Sequence, residues 1–140
     1  MHANHQQPVV LYVEDDPHSR KLMGMLLKGR MKLTQVTILQ DAQNFIQIVN
    51  ALDPKPTVIF LDIHVKPLNG FEMLALLRAQ EWCARVPVIA LTASVMNEEV
   101  RRLEEAGFDG CLSKPIDMDT FPGTLEQILA GERIWRIVTH

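Results

Sequence analysis

The feature that most constrains this chain is a set of short, nearly continuous apolar runs, each closed by a polar residue. Val9-Val10-Leu11-Tyr12-Val13 runs into Glu14-Asp15-Asp16. Val58-Ile59-Phe60-Leu61 ends at Asp62, and Val86-Pro87-Val88-Ile89-Ala90-Leu91 ends at Thr92. The runs are rich in β-branched and aromatic side chains and are too short for buried helices. Apolar runs without polar alternation fit strands covered on both faces, as in a parallel sheet. Residues 34–39 alternate more and fit a less buried strand, and residues 109–113 supply a short fifth that leads into Lys114-Pro115.

Helical patterns lie between the runs. Leu22, Met23, Leu26 and Leu27 share one face of a helix expected over 17–30, with Pro17 suited to its first turn. Phe45, Ile46, Val49 and Leu52 mark a second helix, ended by Asp53-Pro54; Phe71, Leu74 and Leu77 mark a third. Val100, Leu103 and Ala106 mark a fourth, with Asn97 as expected N-cap, Glu98 and Glu99 in its first turn and Gly107 at its end. Phe121, Leu125, Ile128 and Leu129 mark a fifth, which must begin near Asp119 so that Pro122 falls in its first turn. The pattern is (βα)₅, an α/β chain in which right-handed crossovers put helices on both faces of a parallel sheet.

Composition narrows the function. The 140 residues suit one domain with a single core, and the net charge of -3 disfavours direct nucleic-acid binding through phosphate neutralisation. Cys83 and Cys111 have no metal-ligand spacing and read as reduced thiols of a cytoplasmic protein. No apolar run approaches the roughly eighteen residues of a membrane span, and residues 1–5 lack the form of a signal peptide. The domain is expected over 8–130, with a flexible N-terminus over 1–7 and a tail or linker remnant over 131–140. Ile134-Trp135-Arg136-Ile137-Val138 is apolar for a free tail; packing on the body, pairing with a second copy and starting a linker all fit it.

In open parallel sheets, ligands bind at the carboxyl ends of the strands. Here those ends carry Glu14, Asp15, Asp62, Thr92 and Lys114. Clustered carboxylates repel one another unless a cation joins them, and oxygen ligands with room for water suit Mg²⁺. A carboxylate can also act as a nucleophile and form an aspartyl-phosphate, with a metal, an ammonium and a hydroxyl neutralising the phosphoryl oxygens.

The segments VVLYVEDDPHSR, VIFLDIHVKPLNG, VPVIALTAS and GFDGCLSKPID, in this order and each closing an expected strand, resemble the response-regulator receiver family over about residues 8–130. The resemblance implies a flavodoxin-like, doubly wound five-stranded sheet of order 2-1-3-4-5. It implies a signalling domain rather than an enzyme with a separate substrate. Asp62 would accept a phosphoryl group from a phosphohistidine on a sensor histidine kinase or a histidine phosphotransfer protein. Asp15 and Asp62 would ligate Mg²⁺, joined by the backbone carbonyl of His64, with Glu14 holding the ion through water. Thr92 would donate its hydroxyl to the phosphoryl group and Lys114 would pair with its oxygens. Lys114–Pro115 would often be cis. Output would pass through the face of the fourth helix, fifth strand and fifth helix, and homodimerisation is a further expectation. His64 and Ser94 would flank the water that hydrolyses the phosphoryl group.

Three departures stand out. Lys66 replaces a usual proline and Pro67 follows it, while Gly70 keeps its place eight residues after Asp62. Cys111 occupies a fifth-strand position that is often aromatic. The acids lie a few residues further from Asp62 than is typical, and a longer connection over 28–32 would absorb this at little cost. Among the alternatives, a Mg²⁺-dependent phosphohydrolase of the haloacid dehalogenase type would also use an aspartate nucleophile. It would need a second aspartate two residues on, where this chain has His64. An FMN carrier would need a phosphate loop where Glu14-Asp15-Asp16 stands.

Overall fold

The computed structural model describes residues 7–93 and 96–136; Ser94 lies outside the described residues. Strands β1 (Val10–Val13), β2 (Val36–Leu39), β3 (Val58–Asp62), β4 (Val88–Thr92), β5 (Gly110–Ser113) and β6 (Ile134–Arg136) form one parallel sheet of order β2-β1-β3-β4-β5-β6. The first five follow the expected 2-1-3-4-5 order. β6 adds a strand beyond the expected five, so that residues 134–136 of the apolar tail pair with the body; residues 137 and 138 lie outside the described residues.

The strands divide their side chains between two cores. Leu11, Val13, Ile59, Leu61, Val88, Ala90 and Cys111 face one side. Helices α2 (Phe45–Asn50), α3 (Gly70–Arg78) and α4 (Asn97–Ala106) cover that side with Phe45, Val49, Met73, Leu74, Leu77 and Leu103. Val10, Tyr12, Val58, Phe60, Ile89, Leu91 and Leu112 face the other. There α1 (Pro17–Gly24) and its continuation through Leu26 and Leu27 pack beside α5 (Phe121–Leu129). Period-two alternation with both faces apolar is why the runs showed no polar alternation. β6 obeys the same rule: Ile134 enters the α1/α5 core and Trp135 packs against the other.

Local chemistry sets the helix ends. Asp16 caps α1, accepting from Ser19 N at 2.9 Å and Ser19 Oγ at 2.6 Å. Asn69 and Glu72 form a reciprocal capping box on α3. Pro122 lies in the first turn of α5, as expected. Asn97 is a correction: it is the first helical residue of α4, and Met96 holds the cap position with no side-chain bond. Glu98 and Glu99 complement the positive end of that helix from within it.

Of residues 28–32, where a longer connection is expected, 28–30 are helical. After Gly24 the helix widens into π turns over Met25–Arg30, where Met31 N donates to Leu26 O at 2.8 Å. A π turn adds a residue to a helix without breaking it, and Leu26 and Leu27 stay buried on its inner face. Arg30 then bonds Met118 O and Asp119, both at 3.3 Å, tying this widened end to the start of α5.

Candidate functional site

Each carboxyl end of the central strands delivers one polar side chain to the same edge. β1 ends one residue before Glu14, β3 ends on Asp62, β4 ends on Thr92, and β5 is followed by Lys114. In register, Asp62 pairs with Leu91, and Thr92 with Ser113. One carboxylate oxygen from each of Glu14, Asp15 and Asp62 lies within 4.8 Å of the others. Lys114 Nζ reaches both Glu14 oxygens at 3.1 Å and Asp62 Oδ2 at 3.3 Å.

Burial makes this cluster costly. Glu14, Asp62 and Thr92 are buried, while Asp15 is exposed. Desolvation, reinforced by the hydrogen bond and charge of Asp62, pushes the Glu14 carboxyl up to about 7 despite the opposing pull of Lys114. Burial acts upward on Asp62 too, but the Glu14 hydrogen bond, the His64 backbone N–H and Lys114 outweigh it and hold the carboxyl low. For Lys114, burial opposes the charge, but Glu14 and Asp62 hold the ammonium on. The result is an ionised Asp62 beside a retained cation, with Glu14 poised.

The loop after Asp62 folds back on itself. His64 N donates to Asp62 Oδ1 at 3.0 Å, and Gly70 N donates to Ile63 O at 3.1 Å. A Cβ on Gly70 would stand 2.8 Å from Ile63 Cα, so the close return needs glycine. The His64 side chain is exposed. Both Lys66–Pro67 and Lys114–Pro115 are cis. Lys114 N also donates to Thr92 O at 2.9 Å, joining the ends of β4 and β5.

Two contributors escaped the sequence reading. Tyr12 OH donates to Glu14 Oε1 at 3.1 Å. The signal existed, because Tyr12 and Glu14 are two apart and share a face of an extended chain. Arg20 Nη1 donates to Glu14 O at 2.9 Å, a contact that no strand or helix periodicity announces.

Three carboxylates and one ammonium carry a formal charge of -2 when ionised. That charge and an all-oxygen donor set fit one hard divalent cation. The residues therefore suit Mg²⁺, with Glu14, Asp15 and Asp62 as its protein anchors. A phosphohydrolase of the haloacid dehalogenase type would need an acid/base carboxyl at position 64, where an imidazole points to solvent.

The chain is similar to known proteins over most of its length. The chain is 32% identical over 125 residues to a nitrate/nitrite response regulator protein homolog of Haemophilus influenzae, covering 89% of this chain and 58% of that protein. It is 29% identical over 133 residues to the sensor histidine kinase RcsC of Escherichia coli K12, covering 94% of this chain but 13% of the kinase. The chain thus spans a small part of the curated kinases it matches. The receiver domain of the sensor histidine kinase PA1611 from Pseudomonas aeruginosa superposes with a TM-score of 0.77 at 25% identity, over 90% of this chain and 100% of that one. That structure holds a magnesium ion in its active-site cleft. The chemotaxis response regulator CheY4 of Vibrio cholerae shares the fold, with a TM-score of 0.77 at 23% identity over 88% of this chain and 99% of that one. The response regulator receiver domain family matches residues 10–126. The chain belongs to that family and is a phosphoacceptor signalling module of two-component systems with a Mg²⁺ site.

Proposed function

We propose that Asp62 is the phosphoryl acceptor and that Thr92 and Lys114 complete the reaction site. The observation that carries this reading is the convergence of Glu14, Asp15 and Asp62 within 4.8 Å, with Lys114 Nζ 3.3 Å from Asp62. An Asp62 carboxylate oxygen attacks the phosphorus of a phosphohistidine. A P–O bond forms, the P–N bond breaks, and its electron pair returns to the imidazole of the donor. Holding Asp62 ionised keeps it nucleophilic at neutral pH. Mg²⁺, when bound, neutralises phosphoryl oxygens as charge builds on them. Lys114 neutralises a second side, and the Thr92 hydroxyl stands at the end of the adjacent strand for a third. The His64 carbonyl is the fourth proposed metal ligand, in the turn whose N–H already bonds Asp62.

The donor is a sensor histidine kinase or a histidine phosphotransfer protein, which the family match supports. A cytoplasmic setting agrees with two buried, unpaired thiols; no described helix is long and apolar enough to cross a membrane. Output through the face of α4, β5 and α5 takes a changed form here. β6 lies along β5, so a partner on that face meets β6 at the edge. We place the domain body over 8–130, with β6 drawn from the segment that follows.

The test is intact mass after treatment with acetyl phosphate and Mg²⁺. Wild type should gain one phosphoryl group and Asp62→Asn none. Equal labelling of the Asn variant would move the acceptor elsewhere.

A further inference from the structure

The weak point of the acidic cluster is Asp15. Glu14 is fixed by Tyr12 and Lys114, and Asp62 by Lys114 and the His64 N–H. The Asp15 carboxylate is exposed and, among the described residues, makes no hydrogen bond or ion pair within the protein. Its position is therefore decided by its own main chain, in a segment that has left the sheet and has not yet entered a helix. Asp16 N spans Asp15 by donating to Glu14 Oε2 at 3.3 Å, and the carbonyls on either side of Asp15 need partners from beyond the segment.

Arg20 closes it from both ends. Its backbone N–H donates to Asp16 O at 3.0 Å, the first helical bond of α1. Its guanidinium reaches back past that turn and donates to Glu14 O at 2.9 Å. One residue thus grips the carbonyl before Asp15 and the carbonyl after it. Asp16 strengthens the far end through Ser19, at 2.9 and 2.6 Å. The near end is anchored on the sheet, where Glu14 N donates to Leu39 O at 3.0 Å. A guanidinium bond to a carbonyl is charge-assisted and directional, and Arg20 is half-buried, so solvent screens it less than a surface contact.

We infer that Arg20 is a positioning residue for the metal site, holding Asp15 in place by bridging the backbone carbonyls of Glu14 and Asp16. This rests on the reading of Glu14, Asp15 and Asp62 as the cation site. The sign of the effect separates this role from simple electrostatics. A guanidinium beside a cation site repels the cation, so if charge were its whole contribution, removing it would tighten Mg²⁺ binding. If it positions Asp15, removing it loosens binding despite the lost repulsion.

The experiment is calorimetric titration of the whole chain with Mg²⁺ alone, alongside thermal melting without metal. Arg20→Met keeps the aliphatic stem and deletes the donors. It should weaken Mg²⁺ affinity by about tenfold, the scale on which groups that orient a metal ligand act. Arg20→Lys keeps one donor and the charge and should recover most of that loss. Backbone amide exchange at Asp15 and Asp16 should quicken in Arg20→Met. Unchanged or tighter Mg²⁺ binding by Arg20→Met would overturn the inference. If Arg20→Met gives no cooperative melt, Arg20→Gln, with a shorter neutral donor, takes its place with the same two outcomes. Wild type that binds no Mg²⁺ would instead overturn the underlying metal-site reading.

Discussion

At the amino-terminal ends of β4 and β5, Arg78 meets Asp109 at 2.6 Å; at the carboxyl ends of the same sheet, Lys114 faces Glu14 and Asp62 at 3.1 and 3.3 Å. The first cluster is balanced in charge. Arg78 also donates to the Cys83 and Val86 carbonyls at 2.9 Å, and Asp109 accepts from Val88 N at 2.9 Å. One cation meets one anion, and main-chain groups supply their further hydrogen bonds. The second cluster sets one cation against three carboxylates, two of them buried. The difference separates a clamp from a site. Paired charges braced by main-chain hydrogen bonds lock α3 to the starts of β4 and β5, whereas an excess of buried negative charge leaves work for an ion.

The largest effect that would sharpen this contrast is on the unbalanced side. Asp15→Ala should abolish measurable Mg²⁺ binding by calorimetry and abolish phosphorylation by acetyl phosphate. The fold should persist, as stable as wild type or more so without metal, because a repelling carboxylate is gone. Wild-type Mg²⁺ affinity in Asp15→Ala would remove Asp15 from the site.

On the balanced side, Arg78→Met should do the reverse. It strands Asp109 and the backbone carbonyls of Cys83, Val86 and Gly107, at a cost of about 3 kcal/mol in urea unfolding. Mg²⁺ affinity should change less than about threefold, because the clamp lies at the opposite end of the sheet. A large loss of Mg²⁺ binding at unchanged stability would break the division between clamp and site.

The smallest expected effect concerns the edge beside both clusters. A Cβ on Gly110 would fall 2.4 Å from Ile134 O, so the glycine is a notch that lets β6 lie against β5. Gly110→Ala should loosen β6 at a cost of about 1–2 kcal/mol, within the usual range for overpacking. Hydrogen-exchange protection should fall at residues 134–136 while the amides of β1 and β3 keep theirs. Unchanged protection there would show that the backbone shifts to admit a methyl group.

The sequence by itself determined the sheet and the chemistry at its edge. Runs such as Val58-Ile59-Phe60-Leu61 are too short for buried helices and fit strands covered on both faces, where each alternate residue meets an apolar neighbour on its own side. The polar residues that end those runs had to share one edge, because right-handed crossovers keep all the strands parallel. Glu14, Asp15, Asp62, Thr92 and Lys114 were legible for that reason. What only the tertiary structure decided were contacts that follow no period. Nothing in the spacing places the Arg20 guanidinium on the Glu14 carbonyl, or Arg78 on Asp109 across a gap of 31 residues. The tail was open for the same reason. Ile134 and Trp135 are apolar in any context, but whether they pair with β5 depends on a glycine 24 positions earlier that leaves room for their backbone. Side-chain period is fixed by local geometry and can be read along the chain, whereas the approach of two distant segments depends on shapes that exist only once both have folded.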